Sequence, residues 1–544
     1  MAHMNPSYQF PYPTPRLPVF GRNVVATSHA MAAQAGLLML QRGGSAVDAA
    51  IAGAAMMTLV EPVSNGLGSD LFAMVWDGKQ LQGLNASGQA PQAWTPDYFT
   101  QRYGNDCATP PMRGVDSVTV PGMVGGWVAL HQRHGRLPLA DVLEPAAELA
   151  EKGYAVPVVV QQKWAAAVPL LQQQPGFAEV FMPHGRAPEV GEHFAMPAAA
   201  RTLRAIGKSQ GQAFYQGELA QALTGFVQQH GGALSMADMQ AYQPDWVTPI
   251  ATSYRGYTVH EMPPNGQGIA ALMALGMVQH FDLASMGPDD TLAHHIQIEA
   301  MKLAFADVYR HVADPHAMAL STAQLLDPDY LAQRARLIDL KKAQVMGAGD
   351  GGRGGTIYLC AADANGMMVS LIQSNYMGFG SGVVEPSTGI SLHNRGHAFA
   401  VSAHSANTSN RVAPGKRPFH TIIPGFLSRQ GEPVMAFGVM GANMQPQGHL
   451  QTLVRMLDHG QNVQTACDAP RWRFYEGKVL NLEGTMAPHL AQGLMAMGHE
   501  VSVIQDSYQD FGAGQFIWRQ PDFAQRGYVA ASDPRRDGAA AAWM

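Results

Sequence analysis

The sequence predicts a layered α/β protein, either two domains or one large sandwich, and three observations carry that reading. Its 544 residues exceed the roughly 250–300 that one simple core holds. Helical patterns dominate the first three hundred positions. Behind a glycine-rich tract the pattern changes to short strand-like runs.

Taken in order, a helix carries Ala32 to Leu40 and ends at Gly43-Gly44. Ser45-Ala46-Val47-Asp48 then has the spacing of an N-terminal cap with an acidic residue at the third helical position. Arg136-Leu137-Pro138 leads into a helix from Leu139 to Lys152, closed by Gly153. His294 to Tyr309 repeats apolar residues at helical spacing. From Gly347 to Gly355 the chain reads Gly-Ala-Gly-Asp-Gly-Gly-Arg-Gly-Gly. Thr356 to Ala362 and Met368 to Ser374 then form strands around the hairpin signal Asn365-Gly366. Val434 to Val439, Val479 to Leu482 and Val501 to Ile504 continue the strand character, and no repeat of 20–50 residues occurs.

Composition narrows the function classes. A formal charge of -6 argues against nucleic-acid and anionic-membrane partners, which need concentrated basic surface. Cys107, Cys360 and Cys467 are widely separated and show neither metal spacing nor a disulfide framework. Met1 to Pro18 holds no apolar signal core and no run of about 18 apolar residues occurs, so a cytoplasmic protein is expected.

A glycine-rich loop ending in Thr invites a phosphate-loop reading, but no Lys precedes Thr356 and a strand follows it. Hairpin geometry favours catalysis instead. A two-residue turn places Thr356 opposite Asn375, and a three-residue loop with Gly366 left-handed places it opposite Ser374. A threonine freed as a chain terminus carries its own base, because an α-amine has a pKa near 8. Attack of the Thr356 side chain on the Gly355 carbonyl would free it, and glycines permit the backbone this needs.

Further motifs lie along the chain: Gly43 to Ala50, Val120-Pro121-Gly122-Met123-Val124-Gly125-Gly126, Glu299-Ala300-Met301-Lys302, Gly380-Ser381-Gly382, Gly415-Lys416-Arg417-Pro418 and Asp533-Pro534-Arg535. With these, the sequence resembles the γ-glutamyltranspeptidase family of N-terminal-nucleophile hydrolases nearly end to end. The resemblance implies a four-layer αββα sandwich. It implies cleavage at Gly355–Thr356 into a large part, 1–355, and a small part, 356–544, intertwined as one heterodimeric domain, with further dimerisation left open. It makes Thr356 the nucleophile, Ser374 its supporting hydroxyl and Gly441-Ala442 the oxyanion pair, with Asn443 beside them among the substrate-binding residues. No metal or organic cofactor is implied.

The sequence departs from the family where a glutamyl group would bind. The carboxylate-binding arginine position is Ser87, and the paired serines are His420 and Thr421. The positions on the amine side read Tyr376, Arg395 and Ala398, and the loop otherwise rich in glycine reads Gly66 to Phe72. Exchanging an acidic group for Arg395 reverses the sign of an interaction of roughly 4 kcal/mol at 4 Å and an effective dielectric near 20. A wall of Arg395, Tyr376 and His420 suits an anionic acyl group. A surface or subunit salt bridge for Arg395 and a buried structural role for His420 are the alternatives.

The runs Ser374 to Gly382 and Met444 to His449 resemble a small-amide branch that includes oxamate amidohydrolases. The expected reaction is hydrolysis of a small anionic amide, oxamate to oxalate and ammonia, through an acyl-enzyme on Thr356. The rivals are a γ-glutamyl hydrolase or transpeptidase, a cephalosporin-type acylase, and a binding protein that keeps the fold unprocessed.

Overall fold

The computed structural model describes residues 16–346, 355–505 and 510–544, so most of the glycine-rich tract lies outside the described residues. Two seven-stranded sheets form the centre. The first runs Ala539–Trp543, Asn23–Thr27, Gly355–Ala362, Met368–Tyr376, Asp70–Trp76, Leu81–Ala86, Asp245–Val247. The second runs Val19–Gly21, Tyr528–Ser532, Ala513–Arg519, Glu432–Met440, Gly425–Arg429, Tyr257–Glu261, Ile250–Tyr254.

Successive side chains of a strand point to opposite faces, and the cores follow that alternation. Ile357, Leu359 and Ala361 enter a core with the helices Ala30–Gln41, Ala46–Val60 and Leu139–Lys152. Tyr358, Cys360 and Ala362 join the core between the sheets, against Phe426, Ala436, Met440 and Ile517 of the second sheet. Val259, Leu427, Phe437 and Val439 face a third core with the helices Gly268–Val278, Thr291–His311 and Met444–Leu457. The outcome is helix, sheet, sheet, helix: the αββα sandwich that the resemblance implied. Strands from both sides of Gly355 enter both sheets.

Local expectations hold where local chemistry decides them. The Ser45 hydroxyl accepts from Asp48 N–H at 3.1 Å, and the Asp48 carboxylate accepts from Ser45 N–H at 2.8 Å, closing a capping box. The same carboxylate oxygen receives Arg136 N–H at 2.9 Å, fastening the loop that starts the helix Leu139–Lys152. The hairpin turns through three residues, with Gly366 at φ 95°, Gly366 N–H on Asp363 O and Asp363 N–H on Met367 O, both at 3.0 Å. Ile357 therefore faces Gln373 and Tyr358 faces Ile372, and the register slips only at Gly355, which pairs with Tyr376.

The early part of the chain differs from its helical reading. Asn23–Thr27, Asp70–Trp76, Leu81–Ala86 and Tyr257–Glu261 are strands of the two central sheets. Asp70–Trp76 is buried at every position, so its run of apolar residues shows no alternation to betray a strand. The Asp533-Pro534-Arg535 motif proves to be an internal fastener. Asp533 receives Arg471 and Gly514 N–H, and Arg535 grips Glu483 with two nitrogens. All three cysteines are free. Among the described residues no helix is long and apolar enough to cross a membrane.

Candidate active site

Even-numbered positions of Gly355–Ala362, Met368–Tyr376 and Asp70–Trp76 point between the sheets, and this parity gathers the site. Thr356, Ser374 and Asp70 lie on three adjacent strands, with Ser374 directly opposite Asp70. Tyr358 packs against Gly438 of the facing sheet. Following both strands onward leads toward Thr356 on one side and the turn Gly441-Ala442 on the other.

At Thr356, the expected nucleophile, the polar atoms form a chain. The Ser374 hydroxyl donates to the Gly355 carbonyl at 2.7 Å and accepts Tyr376 N–H at 2.8 Å. Thr356 Oγ1 lies 3.1 Å from Ser374 Oγ. Because the single Ser374 proton is spent on Gly355, Thr356 is the donor of that contact. The Gly355 backbone is pressed under a loop: a Cβ there would stand 2.9 Å from Val63 O and 3.0 Å from Ser64 Cα. Tyr376 follows at φ 76°, a left-handed conformation that costs a non-glycine residue about 1–3 kcal/mol.

Beside this chain lies Arg395, fully buried in a short 3-10 turn. Its guanidinium sits 4.2 Å from the centre of the Tyr376 ring, and Nη1 donates to Thr421 Oγ1 at 3.0 Å. Nε is 3.9 Å from Asp70 Oδ2 without a hydrogen bond, and Nη2 has no partner among the described residues. Burial pulls the group down to about 10, which leaves it cationic at neutral pH.

Asp70 is the group that sequence reasoning missed. Burial works to raise its carboxyl, but His393 and His420 outweigh that and hold it far below the usual carboxylate range. It accepts Gly88 N–H at 2.9 Å and His420 Nε2–H at 3.0 Å, with His393 Nδ1 at 3.3 Å. Only its position after Gly68-Ser69, in a loop where the family pattern is otherwise glycine, singled it out.

Two expected ligand-binding residues are therefore corrected. Both His420 ring nitrogens are engaged within the protein: Nε2 is spent on Asp70, Nδ1 accepts Ile422 N–H, and burial pushes its pKa to about 3, keeping it neutral. The Ser87 hydroxyl donates to Asn85 Oδ1 and accepts from Asn265 Nδ2, so it is committed inside a polar knot. Thr421 stands between Arg395 and Gln267, whose Nε2 reaches Thr421 O at 2.6 Å. Gly441 and Ala442 form the turn before the helix Met444–Leu457, at φ 125° and 52°. Asn443 caps that helix, and its carbonyl accepts from Gln447 Nε2. The run from Met444 to His449 fastens the helix end: Gln445 Oε1 accepts Ile423 N–H, and His449 meets Glu261 at 2.5 Å.

A second cluster of ligand-type side chains, His295, Glu299 and His499, lies apart from these residues in the chain's other helical core. Lys302 Nζ already occupies it, 2.7 Å from Glu299 Oε1 and 3.5 Å from His499 Nδ1. This gives the Glu299-Ala300-Met301-Lys302 motif a structural role.

A threonine hydroxyl on an inner strand, linked through a serine to the carbonyl preceding it in an αββα sandwich, defines a self-processing hydrolase of the N-terminal-nucleophile class. The chain belongs to the γ-glutamyltranspeptidase family, whose model, described as Gamma-glutamyltranspeptidase, matches residues 32–543. It is 35% identical to the Glutathione hydrolase-like YwrD proenzyme of Bacillus subtilis (strain 168), over 95% of this chain and 98% of that one. It is 36% identical to the Oxamate amidohydrolase proenzyme of Klebsiella pneumoniae, over 95% and 97%. Among solved structures, a cephalosporin acylase from Bacillus halodurans superposes with a TM-score of 0.92 at 44% identity, with 100% of both chains covered. The chain is thus an amidohydrolase or acylase of a self-processing kind.

Proposed function

We propose that Thr356 first cleaves its own chain and then hydrolyses a small anionic amide, with oxamate the best-fitting substrate. The observation that carries the substrate choice is Arg395: a buried cation beside the nucleophile hairpin, with Nη2 unpartnered among the described residues. A buried guanidinium left without an acceptor is costly, and a carboxylate would satisfy it with charge-assisted bonds.

In maturation, Thr356 Oγ1 attacks the Gly355 carbonyl carbon while its proton passes to Ser374 Oγ and the Ser374 proton passes to Gly355 O. The C–N bond then breaks as the Gly355 hydroxyl gives its proton to the leaving nitrogen and its carbonyl re-forms, and water hydrolyses the resulting ester. This releases a large fragment, 1–355, and a small one, 356–544. In turnover the freed amine is the base. Thr356 Oγ1 attacks the substrate amide, the Gly441 and Ala442 N–H groups at the positive end of the following helix stabilise the oxyanion, and ammonia leaves. Water then cleaves the acyl-enzyme. Arg395 holds the neighbouring carboxylate throughout.

An acylase acting on a larger acyl amide is the second reading, favoured by the 44% identity to a cephalosporin acylase. Complete burial of Arg395 supports the small substrate over it. A γ-glutamyl substrate fits less well, because the Asp70 carboxylate, the nearby acid, is already occupied by Gly88, His420 and His393. Ammonia or amine release from oxamate, a γ-glutamyl anilide and a cephalosporin side-chain amide, each with the cleaved protein, decides among the three. Faster turnover of either larger amide sinks the oxamate assignment.

A further inference from the structure

Gln267 enters no step above, yet its side chain ties the two halves of the site together. It lies just before the helix Gly268–Val278 and is completely buried. Its Nε2 donates to Thr421 O at 2.6 Å and to Ala442 O at 3.1 Å. Both partners are carbonyl oxygens, so chemistry fixes which end of the amide faces them. Its own backbone N–H donates to His420 O at 2.9 Å, which sets where the side chain starts. The other end, Oε1, is buried with no hydrogen-bond partner among the described residues.

The two carbonyls are telling. Thr421 carries the hydroxyl that accepts from Arg395 Nη1, and Ala442 is the residue held at φ 52°. A left-handed conformation is unfavourable for alanine and persists only where its surroundings impose it. Gln445 N–H also reaches Ala442 O, at 3.1 Å, but it belongs to the same turn and moves with it. Gln267 is the contact that reaches this carbonyl from a separate element, the start of the helix Gly268–Val278.

We propose that Gln267 is a positioning residue for the hydrolytic step: its amide holds the Gly441-Ala442 turn in the conformation that receives an oxyanion, at a fixed offset from the Arg395 anchor. The proposal rests on the reading of that turn as the oxyanion site. It also separates the two reactions of Thr356. In the precursor the Gly355 carbonyl is polarised by the Ser374 hydroxyl, so self-cleavage does not depend on Gln267.

Gln267→Met keeps the volume and removes both donors; Gln267→Glu keeps the shape and turns an acceptor toward the carbonyls. Three readouts apply to each: the rate of cleavage before Thr356, kcat and KM on the best amide of the panel, and the crystal structure of the turn. Both variants are expected to cleave like the parent protein and to show Ala442 out of the left-handed region. Their kcat should drop about tenfold to a hundredfold, with KM within about threefold. An unmoved turn overturns the proposal whatever the activity does. Equal losses in cleavage, kcat and thermal stability overturn it too, because they mark a purely structural residue. A relaxed turn with undiminished turnover leaves Gln267 as the holder of the turn and instead refutes the oxyanion role of Gly441 and Ala442.

Discussion

At the nucleophile, Thr356, Ser374, Tyr376 N–H and the Gly355 carbonyl close a chain in which every proton has an acceptor. At Arg395, a few ångströms across the Tyr376 ring, Nη2 has none among the described residues. The first region has its hydrogen bonds closed within the protein, so the proposed attack on its own backbone needs only water to finish it. The second would gain its missing acceptor from the anionic substrate proposed above. On the proposed reading, self-cleavage and substrate choice reside in different residues of one site, and variants should separate them.

The largest effect should come from Thr356→Ala, which removes the step both regions serve. A single uncleaved chain and a loss of about 10⁴-fold or more in amide hydrolysis are expected on a denaturing gel and in an ammonia assay. An uncleaved variant that remains active would break the nucleophile assignment. Ser374→Ala should slow cleavage by about a hundredfold, since it removes the donor to the Gly355 carbonyl. Ser374→Thr, which keeps a hydroxyl, should restore most of it in a time course.

Arg395→Met should leave cleavage intact and raise KM for the anionic amide roughly 30- to 1,000-fold, the equivalent of about 2–4 kcal/mol for a charge-assisted pair. Unchanged KM would make Arg395 a structural counter-ion of Asp70. Gly355→Ala acts on the first region alone: its Cβ would meet the Val63–Ser64 backbone, costing about 1–3 kcal/mol and slowing cleavage without touching turnover by the cleaved fraction.

The smallest effect is on stability. Burial lowers His420 and His499 from 6.5 to about 3, and His29, His260 and His294 to about 4. The unfolded chain binds protons at these positions first, so their contribution is intact above pH 6.5 and is lost as pH falls from there toward 4 for His29, His260 and His294 and toward 3 for His420 and His499. The melting temperature should fall by more than about 5 °C across that window, and a flat profile would contradict the buried, neutral state of these imidazoles.

The nucleophile region was largely legible in the sequence because its information is local. A three-residue loop at Asn365-Gly366 fixes the register that sets Ser374 against Thr356, eighteen positions apart. The Ser45 capping box and the helix end at Gly153 were legible for the same reason. The anchor region was legible only in part. Arg395 could be singled out by its charge, but its surroundings come from segments hundreds of positions away. Asp70 meets His420 across 350 residues, and Gln267 meets Ala442 across 175. No periodicity or motif announces such meetings, so His420 and Ser87 were assigned to a ligand when their bonds lie within the protein.

The strand that opens with Gly355-Thr356 lies in the middle of its sheet, flanked by Asn23–Thr27 from one side of the cleavage point and Met368–Tyr376 from the other. A scission there severs a covalent bond without freeing a surface. The fragments would share an interior, so neither could leave until both sheets were dismantled, and the cut protein would unfold as a single cooperative body. Two differently labelled preparations, mixed after maturation and warmed short of melting, should not trade small fragments. The pairing would be inherited from one translation event and kept for the life of the molecule.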